Sequence, residues 1–351
     1  MSNTKNETTA LINVLDKIDK NGEIVCTRGF EQKEILANLE IISHPSERII
    51  LLHNRGNNIF ALIAETIWVL AGHNDMEYLQ RYLPRAVDFS DDGKIWRAAY
   101  GPRLRNWHGV DQFKSVISRI KEDKNTKRAV MSIFDPEIDY VDSLDIPCNN
   151  WLHFMNRDNK LNLDVAVRAN DAIWGFGGIN TFEWSVLLQC MSYWTNDKVG
   201  HMNWYTGTIH LYSRHYKKAG NILKNNINPK TIYDFDVPTL KFNTPFEKFD
   251  IMLENIFNLE KNMRNDKDIS KTWTEVNKIK DDLFRNFSQM LFIYNLFLNN
   301  KNNSLIKKYV ELMETSDLKI AAIEYFSRKF SDKNMFKLNN KEQNFFNYYW
   351  K

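Results

Sequence analysis

The chain has 351 residues, 43% hydrophobic and 26% charged, and Lys+Arg 47 against Asp+Glu 44 leave a net charge of +3. That length buries roughly three quarters of the unfolded surface without staples, and the near balance of charge excludes a basic nucleic-acid footprint. No apolar run reaches the ~18 residues of a membrane span, and the polar stretch 1–9 lacks a signal-peptide core, so membrane, secreted disulfide-rich and disordered classes are set aside.

Residues 10–20 have helical spacing, as does 60–71 (FALIAETIWVLA), whose apolar content predicts a buried helix. Residues 111–122 predict an amphipathic helix with Val116, Ile117 and Ile120 inward. Strands are expected at 129–134, 149–155 and 161–169, where β-formers alternate with polar residues. Arg157-Asp158-Asn159-Lys160 reads as a hairpin turn between the last two. Gly175-Phe176-Gly177-Gly178 reads as a flexible loop. A long buried helix over 180–193, a strand over 202–212 and a short helix over 213–224 follow. Hairpin-linked strands with helices laid against them make an α+β pattern.

After about residue 240 the texture changes. Segments 249–263, 272–299, 303–315 and 316–330 read as helices with a modest apolar stripe and a charged remainder. The expected division is one domain over 1–240 and a helical extension over 241–351. The basic residues Lys261, Arg264, Lys267, Lys307 and Lys308 interleave with acidic ones and read as solvated faces.

Cys26, Cys148 and Cys190 make neither a metal pair nor a disulfide framework, which fits a reducing, cytoplasmic setting. Asp145-Ile146-Pro147-Cys148 puts a cysteine behind a proline whose fixed φ aims it at a strand start. A lone cysteine is more often buried and structural, as Cys190 in its apolar run is expected to be. Cys26 has a weaker case as nucleophile. Val167-Arg168-Ala169-Asn170-Asp171 places a guanidinium, an amide and a carboxylate at a strand end, which suits a polar ligand and also marks ordinary strand ends. Lys127-Arg128 is a phosphate grip or a turn. His210 and Tyr212 share one face of a strand. Glu65 interrupts an apolar helix: a buried carboxylate there has a raised pKa and makes a general acid or base, against the plainer reading of a boundary residue facing solvent.

Taken together, these residues resemble a family. Glu65 in an apolar helix, Ala99-Tyr100-Gly101, Lys127-Arg128, Pro147-Cys148, Arg168-x-x-Asp171, a glycine loop leading to Asn180, and His210-x-Tyr212 follow the order of the thymidylate synthase superfamily over about residues 20–225. The resemblance implies a thymidylate synthase-like mixed sheet with packed helices. It also implies a homodimer with a phosphate site shared between subunits, a pyrimidine nucleotide as substrate, 5,10-methylenetetrahydrofolate as co-substrate, and no metal, nucleic acid or membrane. It makes Cys148 the nucleophile at C6 of the base, Glu65 the group that orders water and shuttles protons, Tyr100 the tyrosine near C5, and Asp171 the carboxylate that meets the pterin. Arg168 falls on the phosphate position, and Arg28 is the mobile-loop phosphate arginine. Lys127 and Arg128 reach the partner's nucleotide, His210 and Tyr212 hold the sugar hydroxyl, and Asn180 reads the base edge.

The departures narrow the expectation. Thymidylate synthases keep tryptophans in the loop that is here Ala86–Gly93; those rings shield an exocyclic methylene while hydride arrives. The apolar closing tail of that family is also replaced, by Asn347-Tyr348-Tyr349-Trp350-Lys351. Both changes imply capture by water and a hydroxymethyl product. Ala169 and Lys127 stand where thymidylate synthases and dCMP hydroxymethylases carry serine and arginine. In this they resemble the CMP hydroxymethylases of mildiomycin- and bacimethrin-type antibiotic pathways. The expectation is hydroxymethylation of CMP, then of dUMP or dCMP, and third a thymidylate synthase that methylates dUMP. A non-catalytic nucleotide- or RNA-binding relative is disfavoured because Cys148, Glu65, Tyr100 and Arg168 occur together. An amide both donates and accepts, so Asn180 leaves cytosine against uracil open.

Overall fold

The strands before residue 213 pair into one sheet. A computed structural model describes residues 2–265 and 268–351, and the chain divides into two units, Met1–Ile50 with Ala64–Ile227 and Leu51–Ile63 with Asn228–Lys351. The sheet belongs to the first unit. Its strands are β1 (Ser2–Thr4), β2 (Glu23–Thr27), β3 (Phe30–Ile42), β4 (Val130–Ser132), β5 (Asn149–Arg157), β6 (Lys160–Asp171) and β7 (Lys198–Tyr212). Their order is β1-β3-β7-β6-β5-β4, with β2 paired to β3. The β6–β7 pair is parallel while β3–β7 and β5–β6 are antiparallel, so the sheet is mixed.

Two hairpins carry the turn chemistry that tight loops demand. Asp158 and Asn159 close β5–β6 at φ 54° and 58°, and Arg28 and Gly29 close β2–β3 at φ 51° and 77°. Positive φ at both central residues matches the turn to the twist of the strands. β3 has no clear alternation to announce it. Its Glu40 is buried, where an apolar residue would be the usual choice, and pairs there with Lys17.

The helices of this unit are α1 (Glu7–Asn21), α2 (Ile59–Leu70, whose first residues belong to the second unit), α3 (Met76–Tyr82), α4 (Tyr100–Arg105), α5 (Gln112–Glu122), α6 (Pro136–Asp139), α7 (Asn180–Thr195) and α8 (Tyr216–Asn225). α1 starts on a capping box between Asn6 and Thr9, which satisfies backbone donors at its first turn. α5 buries Phe113, Val116, Ile117 and Ile120, the face its spacing predicts. α7 is buried nearly all round. Arg103 of α4 lies fully buried against Asp139 of α6, with Nη1 and Nη2 donating to the two carboxylate oxygens at 2.6 and 2.8 Å. Removing one partner of such a pair strands a buried charge, at a cost of about 3–5 kcal/mol.

The glycine segment is not a flexible loop. Residues 172–179 form a wide helical turn with Gly175, Phe176, Gly177 and Gly178 buried. Asp171 caps it, its Oδ1 accepting from the amides of Ile173 and Trp174 at 2.7 and 2.8 Å. The glycines serve close approach. A Cβ at Gly175 would stand 1.7 Å from Asn170 Oδ1.

In the second unit, Leu51–Ile63 joins α9 (Phe246–Arg264), α10 (Ile269–Val276), α11 (Asp282–Leu298), α12 (Asn303–Leu312), α13 (Asp317–Lys329) and α14 (Asn340–Tyr349). The helix expected over 272–299 is two helices. Asp281 divides them by capping α11, accepting from the amide of Phe284 at 3.0 Å. α11 and α13 do not show a modest stripe. They are buried almost throughout, as central helices must be apolar or internally paired. Within α13 the buried Lys319 meets Glu342 at 3.0 Å. Phe60 stacks on Tyr294 at 4.6 Å and meets Tyr325 edge-on at 5.0 Å, which explains why an N-terminal segment belongs with the C-terminal helices. The second unit thus takes in residues from before α3 as well as Asn228–Lys351. Arg264 pairs with Glu260 and Lys307 with Glu311, while Lys267 lies outside the described residues. Among the described residues no helix is long and apolar enough to cross a membrane.

Candidate active site

Strand register gathers most of the chemistry-bearing residues. Cys148 immediately precedes β5, and its carbonyl accepts from the Arg168 amide at 2.9 Å, which locks the start of β5 to the end of β6. The Arg168 guanidinium then folds back over the Pro147-Cys148 corner. Nε donates to Pro147 O and Nη2 to Ile146 O, each at 2.9 Å, and Nη2 lies 3.7 Å from Cys148 Sγ. Burial pushes the Cys148 thiol up; Arg168 and Arg28 oppose that and Asp145 adds to it. The guanidinium therefore favours the thiolate without winning over burial, and the site needs a proton acceptor when the thiol reacts.

The parallel pairing of β6 with β7 sets Asp171 beside His210 and Ala169 beside Thr208. Burial holds the His210 imidazole below its usual range, with Asp171 and Glu34 opposing. Its Nδ1 is buried with no hydrogen-bond partner among the described residues. The His210 ring meets Tyr212 edge-on at 5.1 Å, and the Arg214 guanidinium covers Tyr212 at 4.2 Å. Burial, then Asp171, pushes the Tyr212 hydroxyl up. Arg28, at the exposed tip of the β2–β3 hairpin, acts electrostatically on both Cys148 and Tyr212.

Three acids face this cluster. Burial and the nearby Asp145 push Glu65 up to about 8. Burial pushes Asp145 up to about 6, against the Ala98 amide and Arg97. Glu183 on α7 is held well above the carboxylate range by burial and then by Glu65. Like charges close together in a buried site cannot all ionise, so this corner stores protons at neutral pH.

Tyr100 sits within the same network. Asn149 Nδ2 donates to its hydroxyl at 2.7 Å, and Trp184 Nε1 donates to Asn149 Oδ1 at 3.0 Å. That chain leaves the Tyr100 proton free to point at a ligand. Asn180 opens α7, 8% exposed, with Nδ2 donating to Glu183 Oε1 at 3.0 Å. The loop Ala86–Gly93 is anchored to the segment that leads into the Pro147-Cys148 corner: Asp91 accepts from the Leu144 amide at 2.9 Å and from Ser143 Oγ at 2.7 Å.

The sequence of the thymidylate synthase family, as a family model, matches residues 10–271. The chain belongs to the thymidylate synthase family. It is 35% identical over 221 residues to a deoxyuridylate hydroxymethyltransferase of Bacillus phage SP01, covering 60% of this chain and 58% of that protein. It is 34% identical over 196 residues to a deoxyuridylate hydroxymethyltransferase of Delftia phage PhiW-14, covering 52% and 54%. A putative thymidylate synthase of Methanothermobacter marburgensis is 28% identical over 216 residues, covering 61% of this chain and 93% of that protein. The chain thus spans little more than half the length of the phage relatives it matches.

As a thymidylate synthase family member the chain brings Cys148, Arg168, Arg28, Asp171, His210 and Tyr212 to one corner, with Glu65, Tyr100 and Asn180 tied to it through the acids and Asn149. Lys127 and Arg128 stand apart. Both are exposed and line a different pocket of about 560 Å³ with Arg119, Glu122, Asp123, Asn125 and Thr126. Sequence reasoning missed Asp145, Asn149 and Glu183. Glu183 carries the signal that exposed Glu65: an acid inside an apolar helical run. Among the described residues no group of three or more His, Cys, Asp or Glu is placed to hold a metal ion.

Proposed function

We propose that the chain is a pyrimidine-nucleotide C5 hydroxymethylase acting on dUMP with methylenetetrahydrofolate. The observation that carries this reading is the Cys148 thiol under Arg168, facing acids that burial keeps protonated. Cys148 adds to C6 of the base and its proton passes to Asp145, the one acid of the three that a value of about 6 leaves ionised at neutral pH. Negative charge develops on C5 and O4, where neutral Glu65 can donate a hydrogen bond. The folate supplies one carbon at the formaldehyde level, which C5 captures. Tyr100, its hydroxyl accepting from Asn149, assists removal of the proton from C5, and tetrahydrofolate departs to give an exocyclic methylene on the base. Water adds to that methylene and Cys148 leaves C6, so the sum is nucleotide, folate methylene and water giving hydroxymethyl nucleotide and tetrahydrofolate. Asp171 uses Oδ1 for its cap, and the exposed Trp174 beside it offers an aromatic face; this pair suits a pterin. The names of the phage relatives support uracil as the base.

A second reading, CMP, rests on Ala169. A serine there would fill space beside the nucleotide, whereas alanine leaves room for a ribose 2′-OH. Incubation with methylenetetrahydrofolate and each of CMP, dCMP, UMP and dUMP, followed by mass spectrometry, separates these outcomes. The expected product is hydroxymethyl-dUMP. Preference for the ribose form in the wild type, moved about tenfold or more toward deoxyribose by Ala169→Ser, would instead support CMP or UMP. A methyl product, or none from any nucleotide, removes the hydroxymethylase reading.

The same proposal includes a homodimer. Trp151, Ala166, Tyr205 and Leu39 lie in one register row across β5, β6, β7 and β3, with Trp151 39% and Tyr205 49% exposed. An apolar sheet face of this kind fits a second copy of the chain, which would carry Lys127 and Arg128 to the neighbouring phosphate. Mixing Arg128→Ala with Cys148→Ser protein should restore activity that neither has alone. Verified mixed dimers without activity would sink the shared site.

A further inference from the structure

Two hydrogen bonds tie the segment 98–100 to the segment 145–149. The Ala98 amide donates to Asp145 Oδ2 at 2.9 Å, and Asn149 Nδ2 donates to the Tyr100 hydroxyl at 2.7 Å. Cys148 falls between these two rungs in the chain. The Asp145 backbone is held as well: its carbonyl accepts from Arg97 Nη2, and its amide donates to Ser143 Oγ at 3.1 Å. The residue is half-buried, and its Oδ1 accepts no hydrogen bond among the described residues. A polar oxygen drawn partly out of water without a partner costs free energy, so it calls for one that the chain does not supply, such as a bound water. Burial comes first in raising the Cys148 thiol, the Tyr100 hydroxyl and Glu65, and the Asp145 charge adds to all three. The carboxyl therefore acts on each reacting group of the corner.

The loop bonded to this segment, Ala86–Gly93, contains no tryptophan and exposes Asp91, Asp92 and Gly93. Water that adds to an exocyclic methylene must lose a proton, and a positioned base speeds that loss. Burial holds Glu65 near 8 and Glu183 well above the carboxylate range, so both are neutral at pH 7, while Asp145 at about 6 is ionised. His210, a further base, is set beside Asp171 and against Tyr212. We propose that Asp145 is a catalytic residue that deprotonates the water adding to the methylene, and so makes the product hydroxymethyl. The inference rests on the functional reading above and deepens it. Two protons are released before this step, one from Cys148 through Asp145 and one from C5. They leave on the two folate nitrogens that had shared the methylene, which returns Asp145 to the carboxylate. Asp145 then takes a proton from water as the oxygen bonds to the methylene carbon. The methylene electron pair moves onto C5 and O4, then closes the C5–C6 double bond and expels the sulfur. The thiolate recovers its proton from Asp145.

The test gives the full chain dUMP and methylenetetrahydrofolate in the presence of 2-mercaptoethanol and reads the products by mass spectrometry. A thiolate already carries its charge and adds to the methylene without a base, so it competes with water for one intermediate. The wild type should give mainly hydroxymethyl-dUMP. Asp145→Asn keeps an acceptor for the Ala98 amide and removes the base. It should lower the ratio of hydroxymethyl product to thioether by about 100-fold, and Asp145→Glu should recover much of that ratio. A residue that only holds the corner in shape would slow both products and leave their ratio where it was. Circular dichroism and thermal melting check that the variants fold, and Asp145→Ser decides if the asparagine variant does not. An asparagine variant whose ratio stays within about twofold of the wild type overturns this inference alone, as does one that binds dUMP and forms neither product. A wild type that yields chiefly the thioether overturns it too. A wild type that makes no hydroxymethyl product from any pyrimidine nucleotide overturns the functional reading and the inference with it.

Discussion

Replacing Cys148 with serine is expected to lower kcat by on the order of 10³-fold or more while leaving nucleotide binding largely intact. The hydroxyl of serine ionises far less readily than a thiol, so the nucleophile is lost even though the geometry is kept. The geometry survives because Arg168 is held by Ile146 O and Pro147 O, two backbone carbonyls that do not depend on the sulfur. Cys26 is exposed and Cys190 fully buried in α7; serine at either position should leave the nucleophile in place. The measurement is steady-state turnover together with nucleotide affinity by calorimetry for the three single variants. A Cys148→Ser protein with near-normal turnover would overturn the assignment.

Glu65→Gln is expected to reduce kcat by about 10²–10⁴-fold, the usual worth of a positioned acid or base, with a smaller effect on KM. Burial and Asp145 put the Glu65 pKa at about 8, so the acid form prevails at neutral pH and is lost as pH rises through that value. The pH profile of kcat/KM should therefore fall on its alkaline side near 8, and the glutamine variant should lack that limb. The sign of the stability effect follows from linkage. An unfolded chain ionises this group in the ordinary carboxylate range and the folded one does not. Its contribution to folding is thus fully present below the ordinary range, declines as pH rises and is lost by about 8. Glu65→Gln should flatten that part of the stability curve, read by denaturant unfolding at several pH values. A glutamine variant with an unchanged alkaline limb would show that another group sets it.

Which parts of this were legible in the sequence follows from how local each cause is. The β5–β6 hairpin was readable because Asp158 and Asn159 tolerate the left-handed turn it needs, and α5 because its apolar spacing survives folding unchanged. Cys148, Arg168, Asp171, His210 and Tyr212 were legible as motifs because neighbouring strands bring short segments together in register. β3 was not, because its buried Glu40 depends on Lys17, a partner far away in sequence. The glycine segment was misread because close approach and flexibility call for the same residue. Its tightness shows only once Asn170 is placed against Gly175. Glu183 and Asp145 were missed for a related reason: burial raises both first, and burial shows only in the folded chain, where Glu65 then adds to Glu183 and Asp145 to Glu65.

Helix α2 begins among the residues that pack with the C-terminal helices, where Phe60 lies against Tyr294 and Tyr325, and ends among residues of the first unit. Glu65 is carried on its second half. Phe60 is therefore part of the core of the C-terminal unit. Trimming the gene after codon 240 would leave Phe60 bare and fray the first turn of the helix that presents Glu65. Any exchange of these helices between relatives must carry Leu51–Ile63 along with them, and such segments should be inherited together.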